Sequence, residues 1–169
     1  FILLYTSGTT GTPKGVMLKH LNLVNFVCWY RRFYKLTPDS VVSAYAGFGF
    51  DACMMDMYPA LTSGAAVLVV PDELRMNLDQ LANYYTENNV THSFMTTQVG
   101  RLFAAEGYKS TLKYLSVGGE KLTPLTPPTD YKLYNGYGPT ECTIFTTAYL
   151  VDKMYHRIPI GKPLDNYKL

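Results

Sequence analysis

The chain has 169 residues, a formal net charge of +2, 47% apolar residues and only 17% charged ones. That length suits one domain with a sizeable core. The near-neutral balance gives no preference for nucleic acid or a membrane surface, and no apolar run reaches the ~20 residues of a membrane span. Cys28, Cys53 and Cys142 are odd in number, widely spaced and in apolar surroundings. They are expected to be reduced core cysteines of a cytoplasmic protein, and His20, His92 and His156 share no metal-ligand spacing with them. The chain opens without a methionine, inside an apolar run, and so reads as a piece of a longer protein.

The first element in chain order is a strand over Phe1–Tyr5, "FILLY", running into "YTSGTTGTPKGVML". Glycines let backbone N–H groups approach a ligand closely, and hydroxyls with a lysine are donors for polyanionic oxygens. This predicts a phosphate cradle. It is not the Walker pattern, because Pro13 precedes Lys14 and Gly15 follows it. A helix is predicted over Leu21–Tyr34, with apolar residues at Leu21, Val24, Cys28 and Phe33. A strand over Val41–Ala46 precedes a helix over Ala52–Leu61, which the Ser63-Gly64 pair stops. A strand over Ala65–Val70 then leads to a helix over Leu78–Asn88, opened by Asn77 as N-cap with Gln80 at the third helical position. Next come a strand over Val90–Met95, a helix over Gln98–Ala105 and strands over Lys113–Val117 and Tyr131–Tyr134. The order implies an α/β fold with a mostly parallel sheet flanked by helices. The β-rich C-terminal stretch from Thr143, "TIFTTAYLV", is expected to leave that sheet.

In open parallel sheets, ligands bind outside the carboxyl ends of the strands. Three polar signatures follow predicted strands: the threonine/glycine loop, "GGEKL" (Gly118–Leu122) and "NGYGPTE" (Asn135–Glu141). Their shared position is expected to bring them to one edge. In the third, a tyrosine ring beside glycine can lie flat against a planar base, and Asn135 can read the edge of that base. Glu141 suits a hard cation that bridges phosphates.

"YTSGTTGTPKG" and "NGYGPTE" together resemble the phosphate-loop and adenine-loop motifs of the adenylate-forming superfamily. That superfamily includes acyl-CoA synthetases, luciferases and the adenylation domains of nonribosomal peptide synthetases. "GFGFDACMMDMYPALTSGAAVLVV" is similar to a core motif of the peptide-synthetase branch, and "IPIGKPLDNYKL" to the strand that enters the family's next segment. The resemblance covers essentially the whole chain. It implies that Thr6, Ser7, Gly8, Thr9, Thr10, Gly11 and Lys14 hold the β- and γ-phosphates of ATP. Gly118, Gly119 and Glu120 would line the adenine side, with Asn135 on the base edge and Tyr137 against its face. Thr140 would touch the α-phosphate and Glu141 would bind Mg²⁺. The implied reaction is attack of a substrate carboxylate on the α-phosphorus, giving an acyl-adenylate and pyrophosphate.

Asp51 selects the branch. The resemblance implies that it pairs with the α-ammonium of an amino acid, although an aspartate at a helix start is also a preferred N-cap, and position alone does not separate the two. The implied substrate pocket comprises Ala52, Met55, Phe94, Leu115, Val117, Gly136, Ile144 and Phe145. This apolar set points to an uncharged, hydrophobic, leucine-like side chain. The family's ribose-binding aspartate, hinge and small domain with a catalytic lysine do not follow Leu169. The chain is therefore expected to be a single partial adenylation domain over residues 1–169, truncated at both ends and inactive by itself. Implied partners are the missing parts of the domain and the carrier and condensation domains of the parent, with phosphopantetheine on the carrier. Alternatives are a stand-alone ligase for an acyl, aryl or D-alanine substrate, or a non-catalytic nucleotide-binding remnant.

Overall fold

The computed structural model describes residues 1–6 and 12–168. Ser7, Gly8, Thr9, Thr10 and Gly11 of the threonine/glycine loop lie outside the described residues, as does Leu169. The chain builds two sheets. The first is a hairpin of β1 (Ile2–Thr6) and β2 (Lys14–Leu18), antiparallel, with Thr6 opposite Lys14. The second has seven strands: β3 (Val41–Ala44), β4 (Ala66–Val69), β5 (His92–Thr96), β6 (Tyr114–Gly118), β7 (Lys132–Tyr137), β8 (Thr147–Leu150) and β9 (Lys162–Pro163). Their order is β4-β3-β5-β6-β7-β8-β9. Pairing is parallel from β4 to β7 and antiparallel at β7–β8 and β8–β9.

Two expectations change here. The first strand does not belong to the parallel sheet: it pairs antiparallel with a second arm, Lys14–Leu18, that the sequence reading does not anticipate. The C-terminal stretch does not leave the sheet. It folds back on β7, placing Tyr137 opposite Thr147, because β7 would otherwise present an unpaired edge.

Four helices cover the large sheet: α1 (His20–Phe33), α2 (Ala52–Thr62), α3 (Leu78–Glu87) and α4 (Thr97–Glu106). Gly64 (φ 72°) and Gly107 (φ 66°) follow α2 and α4 in the left-handed conformation, as the stop signals require. Asn77 caps α3, its Oδ1 accepting from the Gln80 N–H at 3.2 Å. Helices α3 and α4 pack on one face with Met95, Leu115, Val117 and Leu133. Helices α1 and α2 pack on the other with Phe94, Tyr134 and Phe145.

In α1 the buried face is Leu23, Phe26, Val27, Trp29 and Tyr30. The predicted stripe of Leu21, Val24 and Cys28 is exposed. Two apolar faces of one helix compete for burial, and the aromatic one removes more area from water. Cys53 alone of the three cysteines is fully buried, Cys142 is half-buried, and all three are free thiols. No described helix is long and apolar enough to cross a membrane.

Candidate active site

A cavity of about 590 Å³ opens where the chain leaves β3, β5 and β6 and turns beyond β7, at the carboxyl ends of the parallel strands. Asp51, Ala52, Phe94, Ile144 and Phe145 line it, together with Gly118 and Gly119. Five of the predicted substrate positions thus meet around one space, beside two of the predicted nucleotide positions.

Asp51 stands at the N-terminus of α2 in helical conformation (φ −61°, ψ −25°), and its side chain makes no capping hydrogen bond. It forms no salt bridge among the described residues. Burial pushes its carboxyl above the usual carboxylate range, and the neighbouring Thr140 hydroxyl and Ile144 N–H draw it part of the way back. Among the described residues this half-buried acid has no cation as partner, and it is not spent on a cap.

Asp56 holds Asp51's loop. It is 1% exposed, and its Oδ2 accepts from the N–H groups of Tyr45 (3.0 Å) and Ala46 (2.8 Å). Burial pushes its carboxyl up to about 8 against those donors and the Arg75 charge. The Tyr45 hydroxyl in turn donates to the Arg75 carbonyl at 2.7 Å, fixing a second cavity wall whose guanidinium pairs with Asp72 at 3.2 Å. No motif marked Asp56, Tyr45 or Arg75. Asp56's signal was an acid inside an otherwise apolar helix.

The opposite wall is folded under strain. Thr143 (φ 64°) and Ile144 (φ 69°) are consecutive left-handed residues without glycine, a conformation that tertiary contacts must impose. A Cβ at Gly138 would lie 2.3 Å from the Ile144 carbonyl oxygen, so only glycine admits this turn. The Thr146 N–H closes it on the Tyr137 carbonyl at 2.7 Å.

Leu115 and Val117 do not reach the cavity. Both are fully buried against α3 and α4 on the other face of the sheet. Strand alternation puts Ser116, opposite Phe94, and Gly118, opposite Thr96, on the site face instead. Met55 is 0% exposed within the α1/α2 core, and Gly136 lies beneath the Phe145 ring. Neither lines the cavity.

Asn135 and Tyr137 share the face of Leu133 on β7, not the face of Gly136. Asn135 is buried, and its Nδ2 donates to the Pro159 carbonyl at 2.9 Å, which leaves its oxygen as the acceptor. The Tyr137 ring is half exposed at the strand end. Glu120 is tied to α4, its carboxylate accepting from Gln98 Nε2 at 2.9 Å and its carbonyl from the Thr97 hydroxyl at 3.1 Å. Thr140 and Glu141 lie in a 3-10 turn, Thr140–Cys142, against which β2 packs. The hairpin carrying Thr6 and Lys14 therefore approaches the site from outside the sheet. Glu141 and Lys14 are both exposed. Among the described residues no cluster of three or more metal-ligating side chains exists; a single exposed carboxylate is a donor set that suits a hydrated Mg²⁺ shared with phosphate oxygens.

The whole chain, residues 1–169, matches the family model described as AMP-binding enzyme. The protein belongs to that family, and its fold is the one that adenylation domains adopt. Among particular relatives, bacitracin synthase 1 of Bacillus licheniformis is 39% identical over 167 residues, 99% of this chain and 3% of the relative. The L-proline--[L-prolyl-carrier protein] ligase of Streptomyces coelicolor is 36% identical over 178 residues, 96% of this chain and 33% of the relative. The solved structure of the nonribosomal peptide synthetase FmoA3 superposes with a TM-score of 0.84 at 27% identity, over 97% of this chain and 19% of that one. An AMPPNP-bound form of it superposes equally well. The chain thus spans a small part of the length of each of these relatives.

Proposed function

We propose that this chain is the substrate- and ATP-binding core of an amino-acid-activating adenylation domain in a nonribosomal peptide synthetase. Its substrate would be an amino acid with an uncharged, apolar side chain. The observation that carries this is Asp51: a half-buried carboxylate on the wall of the cavity, uncapped and without a salt-bridge partner among the described residues. An acid in such a place needs a cationic ligand, and the α-ammonium of an amino acid supplies one. The other side chains on the near walls, Ala52, Phe94, Ile144 and Phe145, are apolar.

With the ammonium held at Asp51, the substrate carboxylate lies near the Thr140 hydroxyl and the Gly118–Gly119 turn. There it attacks the α-phosphorus of ATP. The new oxygen–phosphorus bond replaces the bond to the pyrophosphate, which leaves toward the hairpin, where Thr6 and Lys14 meet its charge. The Asn135 oxygen accepts from an amino group on the base edge, and the Tyr137 ring covers the base. Glu141 would hold Mg²⁺, which when bound neutralises the phosphate oxygens. Little covalent chemistry is asked of the protein; orientation and charge placement carry the step. The phosphopantetheine thiol of a carrier domain would take the aminoacyl group from the adenylate as a thioester, releasing AMP.

The test is amino-acid-dependent ATP–pyrophosphate exchange by the complete protein, wild type and Asp51→Ala. Deleting one partner of a buried ion pair costs about 3–5 kcal/mol, so exchange with the amino acid should fall by about 10²–10⁴-fold while ATP binding persists. Exchange with the matching des-amino acid should change little. Equal losses for both acids would return the chain to the general acyl-activating group.

A further inference from the structure

The rings of Phe94 and Phe145 close the floor of the cavity next to Asp51. Their centroids are 6.0 Å apart at an interplanar angle of 63°. The Phe145 ring sits on glycine. A Cβ at Gly136 would come within 2.3–2.6 Å of three carbons of the Phe145 ring. A Cβ at Gly118 would lie 3.0 Å from the Gly136 carbonyl oxygen and 3.1 Å from Phe145 Cε1, with Phe94 Cε2 in ordinary contact at 3.4 Å. The strand gives up its side chain at Gly136 to admit the Phe145 ring, and Gly118 leaves that ring uncrowded. Phe145 is backed by Phe26 of α1, 0% exposed, at a centroid distance of 6.3 Å. It cannot swing away without opening the aromatic core. Gly136 lies beneath the Phe145 ring, Met55 is 0% exposed in the same aromatic cluster, and neither they nor Ser116 line the cavity.

We propose that the substrate's side chain is small, of the size of alanine. This rests on the reading of Asp51 as the partner of the α-ammonium. With the ammonium there, the side chain leaving the Cα meets Ala52, Ile144 and the two rings within a few atoms. The rest of the cavity runs along the strand ends, past Phe50, Met76 and Val99 toward Tyr45, Arg75 and Asp72. Phe50 and Met76 are themselves 70% and 78% exposed there, and Arg75 and Asp72 bring charge, so a leucine-sized chain turned that way gains little burial. The leucine-like size expected from the residue types alone counted Met55, Leu115, Val117 and Gly136 as open wall. None of the four is.

The experiment is ATP–pyrophosphate exchange by the complete protein with glycine, alanine, leucine, phenylalanine and glutamate. A single methylene in an apolar pocket is worth about 10–200-fold in kcat/KM, so alanine or glycine should exceed leucine and phenylalanine by at least about 10-fold. Phe145→Ala and Phe94→Ala should each raise leucine relative to alanine by about 10-fold or more, by opening the path to Met55. Preference of the wild type for leucine, phenylalanine or glutamate would overturn the proposal, and so would variants that fold yet keep the wild-type ranking. The wild-type ranking decides the matter even if both variants misfold, and Phe145→Leu gives a milder opening. Exchange with aryl or fatty acids and with no amino acid would defeat the assignment of Asp51 itself. A leucine preference that still depends on Asp51 would defeat only the size limit.

Discussion

The two faces of the large sheet are built from the same strands and do different work. On β5 and β6, Met95, Leu115 and Val117 face α3 and α4, in a packed apolar core, and none of the three reaches the cavity. One residue away on the same strands, Phe94, Ser116 and Gly118 face the site. There the strand residues alternate between bulky and minimal, and the Phe145 ring fills the gap left by Gly136. The site face also holds the buried titratable groups: Asp56 on α2, and His92, whose ring stacks on Tyr114 at 4.9 Å and bonds the Tyr34 carbonyl at 2.8 Å. Each face buries hydroxyls: Ser116 Oγ lies 2.8 Å from Tyr34 Oη on the site face, and on the other Tyr85 Oη lies 3.2 Å from Ser43 Oγ and 2.9 Å from Ser93 Oγ. A one-residue shift in reading a strand therefore exchanges specificity for stability.

The largest test of that division is Leu115→Ala. It should cost about 2–5 kcal/mol of stability, measured as a fall in Tm of the complete protein. The ratio of exchange rates with alanine and leucine should stay at its wild-type value. A changed ratio with an unchanged Tm would put Leu115 back in the substrate pocket.

The titratable groups give the next effects, in opposite directions. Asp56 keeps its proton in the folded state up to about 8, whereas an ordinary carboxyl releases it near 3.8. The unfolded chain then binds fewer protons, so wild-type stability falls as pH rises from about 4 to about 8. In Asp56→Asn the amide oxygen can still accept from Tyr45 and Ala46 while no proton is at stake. The stability of this variant relative to wild type should rise across that window and level off above it. Denaturant titrations at several pH values measure the difference. A flat difference would mean that the folded state does not hold the proton.

His92 works the other way. Burial lowers its pKa from 6.5 to about 4, so the folded state keeps the ring neutral. The unfolded chain takes the proton first, and stability is lost as pH falls from about 6.5 to about 4. His92→Gln should remove that acid-side slope and leave the Asp56 slope exposed in the same pH range. If acid sensitivity were unchanged in the variant, the ring would already be charged in the fold.

The smallest effect belongs to the face that α3 and α4 cover. Tyr85→Phe removes a hydroxyl shared by Ser43 and Ser93 and should cost about 1 kcal/mol, with no slope in pH and no change in substrate ranking. A change in ranking would couple the two faces.

Most of the elements and the family were legible in the residues alone. The order of strands and helices follows from periodicity and from Ser63-Gly64, Asn77 and Gly107, because caps and breakers act within a few residues. The motifs around Lys14 and Asn135–Glu141 carried the family resemblance, and the AMP-binding family model matches the whole chain. Asp51 was legible as a candidate; that it is not a cap became visible only with the geometry of α2. Tertiary structure decided what depends on which face a residue takes. Leu115 and Val117 are as apolar as Phe94, and only the register against β5 and β7 assigns them to the other side. The hairpin partner of β1 and the antiparallel return of β8 are pairings between distant segments, which local propensity does not encode. The same holds for the left-handed turn at Thr143–Ile144 and for the Phe145 ring resting on Gly136. Each depends on the absence of a side chain on a neighbouring strand, and that neighbour is chosen by the fold.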